Sequence, residues 1–517
     1  MDCQQSLTGR LAPTIVAVVA GLVYVRTLLP GMAFGDWGEM QTVPHVLGVA
    51  HPTGYPAYVL IGWVAQLAPL GSVAFRANLL SALLVAGALA VTAAILIRLG
   101  VRPIIAVAGA LALGAVRTVW STATVAEVDP LHLLLVALLL HRALVWADER
   151  RPRDLVIGSL LVGLALGNHL LTLFVAPFVA IFVIWIGRHE IAARPRALAA
   201  MTATAALGLS AYLYVPIAAA GSPLVYNGPV TIERFAWLVS GTQFRGQFGF
   251  LEPGGAADLA GSFASLSSVL ARTGTPVFPV LGTIGLMVLF RWRRAYGLMS
   301  CAILLATLYA WATYLRLEHY LLVVWLVLAI GAAVAVESVA RLTDHRPLRS
   351  SRLAVAPLLG ALCLASAVCL TAANWRSSDR SADDSASDYV DAVFAALPPN
   401  AAILSEWDAS TPLWHAQLVL DRRPDVLIVD DTNVVYEGWG TRERRIASLI
   451  CERPVFIIRL RDHALVPTRE RYRLEPFIPV RVALGGPSAA VRRDVYRIAP
   501  RIDGDCHVRS ADRSADR

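Results

Sequence analysis

Eleven apolar stretches recur along this chain, each close to the length of about 20 residues that a helix needs to cross a bilayer. They lie at 13–30, 77–97, 103–122, 131–147, 155–168, 170–187, 198–219, 272–290, 295–314, 320–339 and 353–373. A chain with so many spans is expected to be an α-helical polytopic protein of the cell membrane. Charged residues are only 16% of the 517 and hydrophobic residues 56%, against about 25% charged in a soluble domain. A purely soluble or disordered protein is therefore disfavoured. The fifth and sixth stretches abut at Gly167-Asn168-His169, which predicts a tight turn. The first stretch lacks a small-residue cleavage site and runs into Pro30-Gly31, so it reads as a span and not a leader.

The arginines orient the spans. The net charge is +8, and all of the Lys-plus-Arg total is arginine. A basic balance suggests nucleic acid until those arginines are placed; most fall in short loops between apolar runs, so no nucleic-acid partner is expected. With Arg10 inside, alternate gaps hold Arg98 and Arg102; Arg150, Arg151 and Arg153; Arg188, Arg194 and Arg196; Arg291, Arg293 and Arg294; and Arg341, Arg346, Arg349 and Arg352. The opposite gaps are poor in arginine for their length. The positive-inside rule then puts the N-terminus in the cytoplasm. Two long outer regions, 31–76 and 220–271, and the whole tail lie on the far side.

The domain reading follows. Residues 1–373 form the membrane domain, 374–395 a Ser/Asp-rich linker and 396–505 a soluble extracytoplasmic domain; 506–517 is a disordered tail. In the soluble part, Ala401–Ser405, Asp425–Asp430 and Val455–Ile458 read as strands, with a helical pattern around Leu413, Trp414 and Leu418. Such alternation predicts a small α/β domain. Cys451 and Cys506 either pair there, the outside being oxidising, or are two unrelated thiols; the six cysteines are too few for a disulfide scaffold.

The polar residues retained by an apolar chain cluster at the predicted outer ends of the spans. The first outer region holds Gly35-Asp36-Trp37-Gly38-Glu39, His45 and His51-Pro52-Thr53-Gly54-Tyr55-Pro56. Asp36 and Glu39 share a face if the segment is helical. They read either as a general base or cation ligand, or as a helix start with Asp36 as N-cap and Glu39 completing a capping box. Later outer turns add Glu127 and Asp129, Asn168 and His169, then Arg316, Glu318, His319 and Tyr320. If the spans pack as a bundle, these groups meet in one cleft. Each also has an ordinary structural role open to it: Glu127 as a helix cap, His169 as a partner of a nearby carbonyl. No zinc signature, phosphate loop or nucleophile elbow is present.

The residues from Thr27 to Ser81 resemble a family of polytopic proteins that includes the animal O-mannosyltransferase of plexin-type IPT domains and many bacterial relatives. The resemblance is carried by Gly35–Glu39, Gly48–Pro56 and Ala74–Ser81. It continues in Ala126-Glu127-Val128, Gly167-Asn168-His169, Tyr212–Pro216, Phe235–Gly241, Leu397–Ala401 and Arg423–Val426. It implies a GT-C type glycosyltransferase that takes a hexose, commonly mannose, from a polyprenyl-phosphate donor at the outer leaflet. An acidic residue of the first outer loop is then the base, which points to Asp36 with Glu39 beside it. This chain departs from the family at Asp129, Ile217 and Tyr226-Asn227-Gly228, which bears on the acceptor and the sugar.

The chemistry is consistent with that implication. A lipid phosphate sugar is already activated, so the protein has to deprotonate an acceptor hydroxyl and meet the charge of the departing phosphate. Asp36 is the candidate base. Arg76 suits a phosphate through its planar fork, or snorkels at the interface; His51 and His169 are further phosphate candidates. The substrate-contact set is His51, Tyr55, Arg76, Asn78, Glu127, Asn168, His169, Glu318 and His319. No cofactor is expected, since a monophosphate donor does not require a divalent metal. The expected partners are the polyprenyl-phosphate sugar, membrane lipids and a protein or glycan acceptor. The competing readings are a transporter or flippase of lipid-linked sugars, and a membrane scaffold that presents the tail domain.

Overall fold

The computed structural model describes residues 7–247, 259–273, 277–313, 316–344, 355–431, 440–483 and 490–500. Among them, eight helices are long and apolar enough to cross a membrane: Leu7–Arg26, Val73–Arg98, Asp129–Glu149, Leu170–Ala192, Pro195–Ala219, Arg294–Ala312, Glu318–Thr343 and Pro357–Ser378. Pro103–Ala115 and Arg117–Ala123 make a ninth if they count as one span bent by 73°. The bend has a local cause: Val116 is extended between the two helices. The carbonyl of Ala115, which lies at this break, accepts a hydrogen bond of 2.9 Å from Asn374 Nδ2, as a broken helix in lipid requires.

The expected count of eleven is therefore not met by length. In their described residues all eleven stretches lie largely on helices, but Pro152–Leu166 and Val277–Trp292 have 15 and 16 described residues. At about 1.5 Å per residue neither spans about 30 Å of hydrocarbon by itself. Proline sets several helix starts, with Pro103, Pro152 and Pro195 each opening its helix, where the missing N–H costs nothing. The bundle core is contiguous and contains Trp120, Trp311 and Trp325, with Tyr24 and Tyr296.

The two long regions expected on the outer side, and called outer for that reason, are not open loops. The first folds into two helices, Gly35–Thr42 and Pro56–Gln66. The second runs alongside it, where Val49 and Val225 form a parallel bridge, and then forms the helices Ile232–Val239 and Leu259–Thr273.

The tail is an α/β domain with one five-stranded sheet. Its strands are β1 (Ala402–Ser405), β2 (Leu427–Asp430), β3 (Val455–Ile457), β4 (Tyr472–Ala483) and β5 (Ala490–Pro500). Their order is β2-β1-β3-β5-β4. β1 pairs parallel with β2 on one side and with β3 on the other, whereas β5 runs antiparallel to β3 and β4. A parallel strand with neighbours on both sides opens a crevice at its carboxyl end. That end of β1 leads into the helix Trp407–Leu418, which faces the first outer region.

One expectation for the tail needs correction, and one element was not anticipated. The Ser/Asp-rich stretch is not a free linker. The last span runs to Ser378 and a helix restarts at Ser385–Ala396. Tyr389, Val390, Val393 and Phe394 of this helix recur at helical spacing and are buried in the domain core with Phe456 and Val480. The long hairpin of β4 and β5 had no counterpart among the expected strands. Cys451 is disulfide-bonded; Cys506 and the tail from 506 on lie outside the described residues.

Candidate active site

The first outer helix places two carboxylates in different environments. Gly35 begins the helix Gly35–Thr42 with a positive φ of 61°, which glycine adopts without steric cost. Phe34 is the N-cap and offers no side-chain bond. Asp36 is therefore not the cap, and the capping box is not formed. The Asp36 side chain is exposed, and its Oδ1 accepts a hydrogen bond of 2.7 Å from Trp407 Nε1 in the tail domain.

Glu39, only 2% exposed, is held inside the next loop. Its Oε1 accepts the backbone N–H of His51 at 2.8 Å, and its Oε2 faces His51 Nδ1. The other ring nitrogen of His51 lies 3.1 Å from the Tyr55 hydroxyl. That hydroxyl spends its single hydrogen on the carbonyl of Pro52 at 3.0 Å, so it accepts from His51. Both ring nitrogens are then donors, and His51 is an imidazolium. Burial alone pushes this imidazole down; the Glu39 carboxylate, with Asp36 behind it, more than offsets that and lifts it to about 9. Burial likewise raises the Glu39 carboxyl, and His51 pulls it back. His51 is thus engaged on both sides and orients Glu39 and Tyr55.

A second group of polar residues meets this one from three further turns. Asn168 donates 3.1 Å to the carbonyl of Val128, tying two outer turns together. His169 caps the short helix Leu170–Phe174 by accepting the N–H of Leu171 at 3.1 Å. It accepts an N–H there and does not bond a carbonyl, which leaves Nε2 as its protonated nitrogen, 3.9 Å from Asp129 Oδ1. His319 approaches the other oxygen of Asp129, also at 3.9 Å. The rings of Tyr55 and Tyr320 flank His169 at 6.0 and 5.5 Å. Glu127 Oε1 accepts the N–H of Val128 at 2.8 Å, and burial, then Asp129, pushes its carboxyl up to about 8. Glu318 opens the short helix Glu318–Leu321 on this side. The outer turns thus converge on one place.

Two residues of the expected substrate-contact set bond the loops around the site. Arg76 donates to the carbonyls of Leu70 and Gly71 at 3.2 and 2.9 Å; its guanidinium ties down the loop before its own helix. Asn78, fully buried, donates 2.8 Å to Leu29 O and accepts from Gln41 at 3.0 Å and from Ala126 N at 2.8 Å. It knits the first and second outer turns beneath the site.

The tail domain supplies what the sequence did not reveal. Beyond Trp407, Asp408 lies against Gly35: a Cβ there would sit 2.6 Å from Asp408 Oδ1. Burial and then Asp36 push the Asp408 carboxyl up to about 6. A Cβ on Gly38 would lie 2.3 Å from Ala33 O and 2.8 Å from Thr411 Oγ1. The two glycines of Gly35-Asp36-Trp37-Gly38-Glu39 thus form the face on which Trp407–Leu418 docks. At its end, Thr42 donates to Gly38 O at 2.8 Å and accepts from His415 Nδ1 at 3.1 Å. The only sequence signal for Trp407 and Asp408 is their place directly after the first strand of an α/β domain.

Two spaces adjoin the site. An apolar groove of about 380 Å³ runs between the helices Asp129–Glu149, Pro152–Leu166, Ala176–Ala192 and Pro195–Leu209; Leu166 and Leu173, on either side of the Asn168-His169 turn, line one end. A cavity of about 230 Å³ lies at the seam with the tail, bordered by Glu39, Tyr226, Trp407, Trp414, Ile428 and Asp430.

The likeness to solved structures extends over nearly the whole chain. ArnT from Cupriavidus metallidurans bound to undecaprenyl phosphate aligns over 95% of this chain and 98% of its own, with a TM-score of 0.61 at 15% identity. The archaeal oligosaccharyltransferase AglB from Archaeoglobus fulgidus aligns over 88% and 70%, with a TM-score of 0.53 at 13% identity. This is the GT-C fold. Residues 36–192 match the family described as the Protein O-mannosyl-transferase TMEM260 N-terminal domain. Mouse Protein O-mannosyl-transferase TMEM260 is 33% identical over 213 residues, 39% of this chain and 30% of the mouse protein. The Dictyostelium discoideum protein of the same name is 35% identical over 66 residues, 12% of this chain and 8% of its own. The resemblance read from the sequence therefore holds, and it spans less than a third of the curated relatives' length. In this GT-C frame, Asp36, Glu39 and His51 are the described groups able to hold a metal ion, with ligand atoms within 4.8 Å of one another. An ion there would have to displace His51 from Glu39.

Proposed function

We propose that this chain transfers a hexose, most simply mannose, from a polyprenyl-phosphate donor to an acceptor hydroxyl at the outer leaflet. The observation that carries the reading is Asp36. It is an exposed carboxylate held from one side, with Oδ2 bonded to no described residue, beside buried polar turns and an apolar groove. The names of the relatives, Protein O-mannosyl-transferase, favour mannose and a protein Ser or Thr; an envelope glycan is the other acceptor class.

In this mechanism Asp36 takes the proton of the acceptor hydroxyl as that oxygen attacks the anomeric carbon and the lipid phosphate leaves. A single in-line displacement inverts the anomeric centre. The His51 imidazolium and Glu39 keep the loop in place. The isoprenoid chain lies in the groove that begins at Leu166 and Leu173, and the phosphate departs towards His169 and His319. No divalent ion is invoked: the leaving phosphate is met by the histidines, and each Glu39 oxygen already faces His51. Asp36 and the tail domain then face the extracytoplasmic side, and the N-terminus is cytoplasmic.

The test is transfer of labelled hexose from a polyprenyl-phosphate donor in membranes. Asp36→Asn is expected to reduce it by about 10²- to 10⁴-fold, the usual range for a positioned base, with unchanged thermal unfolding. An Asp36→Asn protein as active as wild type rejects Asp36 as the base. Net movement of the sugar lipid across the bilayer without covalent transfer favours the transporter.

A further inference from the structure

We propose that Trp407 of the tail domain is a positioning residue for Asp36, so that the carboxyl end of β1 completes the site built by the membrane helices. The proposal rests on the reading of Asp36 as the base. It starts from the one hydrogen bond that the Asp36 side chain makes among the described residues, from Trp407 Nε1 to Oδ1 at 2.7 Å. An exposed carboxylate otherwise turns freely about its side-chain bonds. A donor on Oδ1 fixes the plane of the group and leaves Oδ2 to accept the proton.

The donor is itself fixed. The Trp407 ring meets His51, Tyr226 and Trp414 edge-on, each with centroids 5.8 Å apart. His51 belongs to the first outer loop, Tyr226 to the second, and Trp414 to the same helix as Trp407. The indole therefore sits where three separate segments meet, and its N–H has one direction. The docking face below it admits this approach: Gly35 and Gly38 leave room for Asp408 and Thr411, and His415 bonds Thr42. Asp36 lies between Trp407 above and Glu39 and His51 below, in contact with both domains.

Three substitutions separate positioning from packing. Trp407→Phe keeps an aromatic ring and removes the donor. Trp407→His keeps a ring N–H in a smaller ring. Trp185→Phe removes an indole N–H from the exposed face of the helix Ala176–Ala192, outside the Trp407 cluster. Transfer from the polyprenyl-phosphate donor is measured in full-length protein, with kcat and the donor KM resolved. Trp407→Phe is expected to lower kcat about 10- to 100-fold, the value of a hydrogen bond to a charged group, with donor KM unchanged. Trp407→His is expected to exceed Trp407→Phe, and Trp185→Phe to stay near wild type. A purely structural role predicts the opposite order, since the smaller His ring packs worse than Phe; that order overturns the proposal. So does a Trp407→Phe protein with wild-type kcat. Absence of transfer by the wild type instead rejects the glycosyltransferase reading.

Discussion

Among single residues, the contrast between Asp36 and Glu39 explains most of the site. They are three positions apart on one helix, yet one is exposed and the other is buried against an imidazolium. The His51–Glu39 pair gives a pH prediction. His51 titrates at about 9 in the fold and at about 6.5 in an unfolded chain. Its stabilisation is thus present below about pH 6.5 and is lost as pH rises through about 9. Thermal unfolding between those limits should show the wild type falling towards His51→Gln as the pH rises; parallel curves would contradict the pairing. Because His51 occupies both Glu39 oxygens, transfer activity is also expected to survive excess chelator, and its loss on chelation with recovery on adding a divalent ion would place a metal in the reaction.

Helix docking explains why the glycines of the first outer motif cannot be larger. Gly38→Val places side-chain atoms against Ala33 O and Thr411, and overpacking of this kind typically costs about 1–3 kcal/mol. The expected result is a lower unfolding temperature, faster proteolysis between residues 378 and 385, and loss of transfer. A Gly38→Val protein with normal stability and activity would show that the docked arrangement is dispensable. The sequence made the apolar stretches legible, because a bilayer demands length and apolarity in one continuous run. It also made the convergence of Glu127, His169 and His319 legible, since polar residues at the ends of packed spans have few other places to be. The partner of Asp36 was not legible. Trp407 lies 371 positions along the chain, and only the docking of two domains brings it there. Arg76 and Asn78 show a structural task that the motif did not reveal: they bond backbone groups of the loops around the site.

Across the whole molecule, the side of the membrane on which each part lies is the most direct test of the architecture. With the site and tail outside, a cysteine at Asp391, whose side chain is 63% exposed, should react with an impermeant maleimide in intact cells. A cysteine at Arg151, 52% exposed in a loop at the opposite end of the helix Asp129–Glu149, should react only after permeabilisation. The reverse labelling would turn the chain over and remove Asp36 from the outer leaflet. Docking through Gly35 and Gly38 also carries an engineering consequence. A chimera that exchanges the tail domain of this protein for that of a distant relative has to bring the matching first-loop helix with it. Grafted alone, a foreign helix with bulkier side chains at the positions of Asp408 and Thr411 would ride higher on its host and withdraw its indole from the aspartate. Compatible swaps should thus travel as a pair, although Asp36 and Trp407 are 371 positions apart in the chain.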